Sequence, residues 1–229
     1  MLSIGLVGGM SWESSLEYYK LLNQGVEERL GGLHSARLVL SSVDFAELTE
    51  LQRAGRWGDV ATVLAEAARG VEAGGADLLL MCTTAFHTVA DQVEAAVTIP
   101  FLHLADVVAD ACKARRLTSV GLIGTSFTMQ QPFFVDRLAS HGLQVVVPDE
   151  ARHDAIDQII YGELVHGKVL DTSRTTVVGV IEELWDAGAQ GVILGCTELE
   201  LLVKQADAEL PVFPCTTLHV EAALDRALS

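Results

Sequence analysis

Short apolar stretches rich in Val, Ile and Leu alternate along the chain with longer amphipathic stretches. The short stretches that have the length and composition of strands are residues 4–7, 38–43, 78–82, 101–104, 120–123, 145–147, 192–194 and 212–213. Between them, residues 57–72 and 175–186 show the apolar spacing of amphipathic helices. Alternating buried strands and helices are typical of βαβ units, so the pattern predicts an α/β fold built on parallel sheet.

The chain also contains an internal repeat. Three pairs of segments resemble each other at nearly constant separations of 116, 113 and 111 residues. The pairs are 4–9 with 120–125, 73–80 with 186–193, and 99–101 with 210–212. Chance similarity is the alternative, because Gly-Ala followed by an aliphatic strand is common in βα units. The near-constant separations favour two copies of one fold.

We therefore expect two pseudo-symmetric lobes, each a parallel sheet flanked by helices. The N-terminal lobe comprises residues 1–105 plus 215–229, and the C-terminal lobe comprises residues 106–214. Ligands of open α/β sheets bind beyond the carboxyl ends of the strands, so we expect the active site in the cleft between the lobes.

Charge and cysteine content exclude several classes of protein. The formal net charge is −16 and the chain has no cluster of Lys and Arg, which argues against nucleic-acid partners. The apolar start lacks a basic n-region, and no uncharged apolar run approaches the roughly 20 residues that span a bilayer. The cysteines Cys82, Cys112, Cys196 and Cys215 show no Cys-x-x-Cys spacing. We expect a cytoplasmic protein with reduced thiols, no metal site and no membrane association.

Two strand ends carry a Cys-Thr pair, at Cys82 and at Cys196. By eye these cysteines match, but the repeat gives another answer: Thr83 follows Ala76 by seven residues, as Cys196 follows Ala189. Successive side chains of a strand point to opposite faces, so a shift of one residue decides which side chain reaches the site. The repeat therefore predicts Thr83 as the equivalent of Cys196.

Three strings resemble the aspartate/glutamate racemase superfamily: Gly-Gly-Met-Ser-Trp-Glu-Ser at 8–14, Val-Asp-Phe at 43–45 and Gly-Cys-Thr-Glu at 195–198. The resemblance covers nearly the whole chain. It implies an amino-acid racemase without a cofactor, in which one group removes the α-proton and another delivers a proton to the opposite face. It also implies a homodimer.

The chain departs from the usual family pattern where most members have Cys-Asn-Thr, because Thr83, Thr84 and Ala85 stand there. A subgroup acting on L-aspartate and L-glutamate has a threonine preceded by cysteine at this place, and residues 33–36, with Gln52-Arg53 and Trp57 downstream, also resemble it. That subgroup keeps Asn-Thr after its threonine, so the preferred amino acid stays open. After the last strand, Pro-Cys at 214–215 replaces the family's frequent Asp-Thr.

The resemblance implies catalytic roles for Cys196 and Thr83. The pKa of a cysteine can be lowered at a helix N-terminus, which suits Cys196 for the base role; a small buried hydrophobe is the alternative. A hydroxyl is a poor base, so Thr83 is expected to donate or relay a proton, unless it only caps a helix. We expect asymmetric catalysis that favours one enantiomer, L by analogy. Cys82 would replace Thr83 only at a bulged strand end, and Cys112 and Cys215 are expected in the core.

Substrate contacts are expected from donors at the strand ends, although threonines there also cap helices. The predicted contacts are Met10, Thr84, Ala85, Thr125 and Thr197. Gln52 and Arg53 suit a side-chain carboxylate or a solvated helix face, and Lys168 is a further carboxylate ligand. His87 and His219 either orient the site or are structural.

Other cofactors are disfavoured. None of the four lysines ends a predicted strand, as a pyridoxal phosphate Schiff base would require, and the full Gly-x-Gly-x-x-Gly spacing is absent. The expected partner is a small, acidic amino acid. Two alternatives stay open: a single-cysteine decarboxylase or isomerase of the same superfamily, and an amino-acid-binding relative without catalysis.

Overall fold

The computed structural model describes all 229 residues, and their contacts divide into two units. Unit 1 comprises Met1–Leu104 and His219–Ser229, and unit 2 comprises Ala105–Leu218. The fold is α/β, with one parallel sheet in each unit and helices packed against it.

The sheet of unit 1 has three parallel strands in the order β2-β1-β3. The strands are β1 (Ile4–Gly8), β2 (Leu38–Ser42) and β3 (Leu78–Met81). The helices are α1 (Trp12–Leu30), α2 (Phe45–Arg53), α3 (Trp57–Ala73) and α4 (Ala90–Glu94), with a 3₁₀ turn at Ala85–Val89. Every residue of β1 and β3 is buried, as expected of parallel strands covered on both faces, whereas the edge strand β2 is partly exposed.

The sheet of unit 2 has four parallel strands in the order β5-β4-β6-β7. The strands are β4 (Ser119–Ile123), β5 (Gln144–Val146), β6 (Val192–Leu194) and β7 (Val212–Pro214). The helices are α5 (Leu104–Ala114), α6 (Ser126–Gln130), α7 (Pro132–Ser140), α8 (Glu150–Gly162), α9 (Asp171–Asp186) and α10 (Leu199–Leu202). The last helix, α11 (Cys215–Leu228), begins in unit 2, and its residues from His219 onward belong to unit 1.

The two sheets repeat one topology. Each has a central first strand, β1 or β4, flanked by the second and third strands of its unit. Gly5 of β1 lies opposite Leu79 of β3, and Gly121 of β4 lies opposite Val192 of β6. Gly121 follows Gly5 by 116 residues, and Val192 follows Leu79 by 113 residues, the same separations as in the sequence repeat. The two units are therefore two copies of one βα arrangement.

The predicted strand at 101–104 is wrong. Only Phe101 pairs with the sheet, through an isolated bridge to Leu79, and Leu104 already begins α5. The neighbouring backbone bonds, Leu79 N–H to Pro100 and Leu102 N–H to Leu79, are both 2.9 Å long. The apolar run is real, but the helix begins too early for a fourth strand to form.

Each unit has its own hydrophobic core. In unit 1 the core lies between the sheet and α2 and α3, and includes Leu48 and Leu64. In unit 2 it lies between the sheet and helices α8, α9 and α10, and includes Ile160 and Ile181. None of the helices is long and apolar enough to cross a membrane.

Candidate active site

In unit 1 the end of β3 brings Thr83 to the carboxyl edge of the sheet. The Cys82 N–H donates to the carbonyl of Val7 over 2.9 Å, which continues the β1–β3 ladder to this residue. The Cys82 side chain is completely buried, and burial raises the pKa of its thiol. Thr83, the next residue, is 8% exposed. Burial in the core removes Cys82 from contact with a ligand.

In unit 2 the end of β6 presents Cys196 at the corresponding place. The Gly195 N–H donates to the carbonyl of Ile123 over 2.7 Å, the counterpart of the Cys82 bond in unit 1. Gly195 thus corresponds to Cys82, and Cys196 corresponds to Thr83. The Cys196 side chain is partly exposed. The ladder bonds give the same equivalence as the sequence count.

The thiol of Cys196 lies against a carboxylate. Its S–H donates to Oε2 of Glu198, with Sγ and Oε2 2.9 Å apart. Burial, and then the negative charge of Glu198, raise the pKa of Cys196 well above its usual value. The backbone N–H groups of Glu198 and Leu199, at the start of the following helix, do lower this pKa, but less than burial and the Glu198 charge raise it. The helix that follows, Leu199–Leu202, has only four residues and gives little dipole to oppose those two effects.

A hydroxyl cluster lies near the same thiol. Thr125 caps α6, because its Oγ1 accepts from the Thr128 N–H over 3.3 Å. The phenol of Tyr161, on α8, interacts with the side chain of Thr125. Burial raises the pKa of Tyr161, and the nearby ionisable groups Cys196, Asp157 and Glu198 raise it further when they are charged. Tyr161 is thus a neighbour of Cys196 that sequence reasoning missed, because no motif connects α8 with the strand ends.

The loop after β1 is rigidly held. Gly9 has φ +94, and a Cβ there would lie 2.7 Å from the Val43 nitrogen, so only glycine fits. The Gly9 N–H donates to Ser15 Oγ over 2.8 Å, and that hydroxyl donates to the carbonyl of Ser11 over 2.9 Å. The Met10 side chain lies in the core of unit 1. Any contact of Met10 with substrate must therefore come from its backbone.

Thr84 and Ala85 begin the 3₁₀ turn after Thr83, and both are partly exposed. The Thr84 side chain caps no backbone N–H of this turn. Beyond them the Phe86 ring packs edge-on against Phe45, with ring centroids 6.4 Å apart. The packing of Phe86 thus anchors the turn next to Thr84 and Ala85. The hydroxyl of Thr84 makes no helix cap.

His87 lies behind Thr83, buried in a cluster of three histidines. Its ring centroid is 4.8 Å from that of His103 and 6.3 Å from that of His219. Nε2 of His87 accepts from the Leu104 N–H over 3.3 Å. Burial, and then the two neighbouring histidines, lower the pKa of His87 well below its usual value, so the ring is neutral at pH 7.

His219 is a structural histidine. Tyr18 OH lies 2.9 Å from its Nδ1, and its Nε2 lies 2.9 Å from the carbonyl of Leu102. That carbonyl can only accept, so Nε2 carries the proton and Nδ1 accepts from the tyrosine. Burial lowers the pKa of His219 to about 4.

Two predicted carboxylate ligands have no structural link to the strand ends. Gln52 lies near the end of α2, half-buried, next to the exposed Arg53. Lys168 is exposed and follows Gly167, and its backbone N–H donates to the carbonyl of Glu163 over 3.0 Å. No three of the His, Cys, Asp and Glu side chains lie close enough together to hold a metal ion.

The chain thus has two units of repeated α/β topology, with a thiol at one strand end and a hydroxyl at the equivalent one. The Asp/Glu/hydantoin racemase family model matches residues 7–223. The chain belongs to this family, and within it to the aspartate racemase-like proteins.

Two solved structures match the whole chain and are themselves matched over their whole length. One, from Yersinia pestis and proposed to be an Asp/Glu racemase, is 46% identical with a TM-score of 0.95. The other, an aspartate racemase homologue from Pyrococcus horikoshii OT3, is 33% identical with a TM-score of 0.91. A glutamate racemase from Roseiflexus sp. (strain RS-1) is 30% identical over 66% of this chain, and the match spans only 54% of that protein.

Proposed function

We propose that the chain is a cofactor-independent amino-acid racemase of the aspartate/glutamate type, with Cys196 and Thr83 as its two acid/base residues. The observation that carries the proposal is the hydrogen bond from the Cys196 thiol to Glu198 at a strand end equivalent to that of Thr83. A titratable thiol with a proton acceptor in contact is suited to α-proton transfer.

The raised pKa of Cys196 makes Glu198 part of the proposed chemistry. At neutral pH the thiol holds its proton and donates it to the carboxylate. In the forward step the proton moves from Sγ to Glu198, and the resulting thiolate takes the α-proton. The carbanion is then reprotonated from its other face, by the Thr83 hydroxyl, which regains a proton from solvent, or by water directly. Glu198 releases its proton to solvent, and Cys196 keeps the proton taken from Cα, so all three residues return to their starting states. In reverse, Cys196 returns its proton to the carbanion.

The two acid/base residues are unequal, because a hydroxyl yields an anion far less readily than a thiol does. We therefore propose that the enzyme removes the α-proton mainly from the enantiomer that faces Cys196, the L-enantiomer by analogy with the family subgroup. The opposite enantiomer would react slowly.

The proposed substrate is an acidic amino acid held by donors at the strand ends. The residues proposed to contact it are Met10 through its backbone, Gln52, Thr84, Ala85, Thr125, Thr197 and Lys168. Thr84 and Thr197 are partly exposed and stand immediately after Thr83 and Cys196, so they have the best structural support. Gln52 and Lys168 have the least.

A second candidate function has one observation in its favour. A thiol that holds its proton at neutral pH is suited to protonate a carbanion left by loss of carbon dioxide, and that reaction needs no second acid/base residue. Decarboxylation of a malonate by Cys196 alone is therefore the alternative.

Proton exchange in heavy water tests the proposal. The protein is incubated with each enantiomer of aspartate and of glutamate, and the α-proton is followed by NMR together with chiral analysis. Loss of the α-proton signal with inversion supports racemisation. Binding without exchange would leave an amino-acid-binding protein, and carbon dioxide release from a malonate would identify the decarboxylase.

We also propose a cytoplasmic homodimer. All four cysteines are free thiols, which suits a reducing compartment. On α1 the exposed residues Trp12, Leu16 and Tyr19 follow the spacing of one helix face and form an apolar stripe that a second copy would cover. Light scattering after size-exclusion chromatography should give twice the chain mass, and Leu16→Glu should give the monomer.

A further inference from the structure

Glu200 is a buried carboxylate that reaches from one helix to the start of another. It lies on α10 and is 8% exposed. Its Oε1 accepts from the Thr216 N–H over 2.6 Å, and its Oε2 accepts from the N–H and hydroxyl of Thr217 over 3.3 and 3.0 Å. These residues belong to the first turn of the 14-residue helix α11, whose N–H groups have no partner within the helix. The carboxylate therefore caps α11 from outside.

Unit 1 repeats the same arrangement with a different side chain. His87 follows Thr83 by four residues, as Glu200 follows Cys196. The His87 Nε2 accepts from the N–H of Leu104, the first residue of α5. At both strand ends, the residue four positions after the proposed acid/base group thus holds the first turn of the next long helix. This repetition indicates a feature of the strand-end architecture rather than an incidental contact.

The first turn of α11 is connected in turn to the residue beside Cys196. The Thr216 hydroxyl donates to Oγ1 of Thr197, with the oxygens 3.3 Å apart. Because Thr197 accepts this bond, its own hydroxyl proton stays available for another acceptor. Thr217 binds the same carboxylate as Thr216 but has no such bond to Thr197.

We propose that Glu200 is a positioning residue, whose carboxylate fixes the start of α11 so that Thr216 keeps the Thr197 hydroxyl turned as a donor toward a substrate carboxylate. This rests on the proposed function, in which Thr197 binds the amino acid next to Cys196. Glu200 itself does not touch the substrate. It acts through Thr216. In unit 1 the equivalent position is occupied by the uncharged imidazole ring of His87.

The matched pair Thr216→Val and Thr217→Val tests the connection. Both variants keep the backbone N–H bonds to Glu200, and only the first removes the hydroxyl that reaches Thr197. We expect Thr216→Val to weaken L-aspartate and L-glutamate binding about tenfold, the effect of one hydrogen bond to a charged group, in both the calorimetric Kd and KM. The kcat should change much less, and Thr217→Val should bind as the wild type does. Equal binding by both variants would overturn the proposal.

Glu200→Ala with added formate tests the carboxylate directly. The variant leaves the Thr216 and Thr217 N–H groups without their acceptor, and formate is small enough to take its place. We expect a lower Tm and weaker amino-acid binding, both partly restored by sodium formate but not by sodium chloride at the same ionic strength. A lowered Tm with unchanged amino-acid binding would make Glu200 only structural, and formate acting no better than chloride would also contradict the proposal. If the wild type exchanges no α-proton, the racemase proposal is refuted. The formate measurement follows Tm and amino-acid binding rather than turnover, so it tests the role of Glu200 separately.

Discussion

The strand ends of the two units share a backbone arrangement but differ in chemistry. In unit 2, Cys196 is followed by the carboxylates of Glu198 and Glu200, and burial raises the pKa of the thiol and of Glu200. In unit 1, Thr83 is followed by His87, whose pKa is lowered by burial. A duplicated fold therefore supplies two equivalent places for an acid/base residue, and the surrounding side chains decide how readily a proton moves at each.

The largest expected effect follows from removing the thiol. Cys196→Ser should reduce α-proton exchange of the preferred enantiomer by about 10²- to 10⁴-fold, the range typical of a general acid/base residue, measured by NMR in heavy water. Cys82→Ala is the matched control at the neighbouring core position. It should lower stability because it opens a small cavity, while exchange stays near the wild-type rate. A loss of exchange in Cys82→Ala comparable to that in Cys196→Ser would break the equivalence of Thr83 and Cys196.

The two units should respond to pH in opposite directions. The pKa of Glu200 is raised from 4.5 to about 7, chiefly by burial, so its contribution to stability is present below pH 4.5 and is lost as the pH rises to 7. Full loss corresponds to about 3 kcal/mol in the free energy of unfolding. His219, with its pKa lowered to about 4, contributes stability above pH 6.5 that is lost as the pH falls.

Urea unfolding at a series of pH values should separate these contributions. Between pH 4.5 and 7, the free energy of unfolding of Glu200→Gln should rise relative to that of the wild type, because the variant cannot ionise. His219→Gln should show the reverse trend between pH 6.5 and 4. Parallel profiles for the wild type and Glu200→Gln would show that Glu200 does not titrate in this range.

Thr83→Cys is the direct way to make the two strand ends alike. A second thiol at the equivalent position should raise exchange of the poor enantiomer by about tenfold or more, since a thiol ionises far more readily than a hydroxyl. Thr83→Ser keeps the hydroxyl and should leave the enantiomer preference unchanged. Unchanged kinetics of Thr83→Cys on both enantiomers would remove Thr83 from the mechanism.

Periodicity and the internal repeat were sufficient to predict the α/β class, the two parallel sheets and the correspondence of Thr83 with Cys196. Such features depend on local patterns and on register, which the sequence carries directly. The strand predicted at 101–104 was wrong, because the competition between a fourth strand and the start of α5 is decided by packing. The interaction of Tyr161 with Thr125 could not be predicted for the same reason, because it joins α8 to the start of α6, which are separate elements of the chain.

The net shift in the pKa of Cys196 is opposite to the one that the motif suggests. The motif suggested a thiol at a helix start, and hence a lowered pKa, but the sequence could not show that the helix would have four residues. Nor could it show that the Glu198 carboxylate would turn back onto the sulfur. Glu198 and Glu200 were both visible in the sequence, and only their contacts revealed what they bind.

The contact with Glu198 leads to the smallest expected effect, which separates the proton-acceptor role from a packing role. Glu198→Gln removes the charge that helps to raise the pKa of Cys196, so the pH midpoint of its alkylation by iodoacetamide should move lower. Burial, the larger cause, persists, so the midpoint should stay above that of an exposed cysteine. Exchange should nevertheless slow, because an amide cannot take the thiol proton. A variant that alkylates at lower pH and also exchanges faster would show that Glu198 only restrains the thiol, and the proton would then have to leave Cys196 by another path.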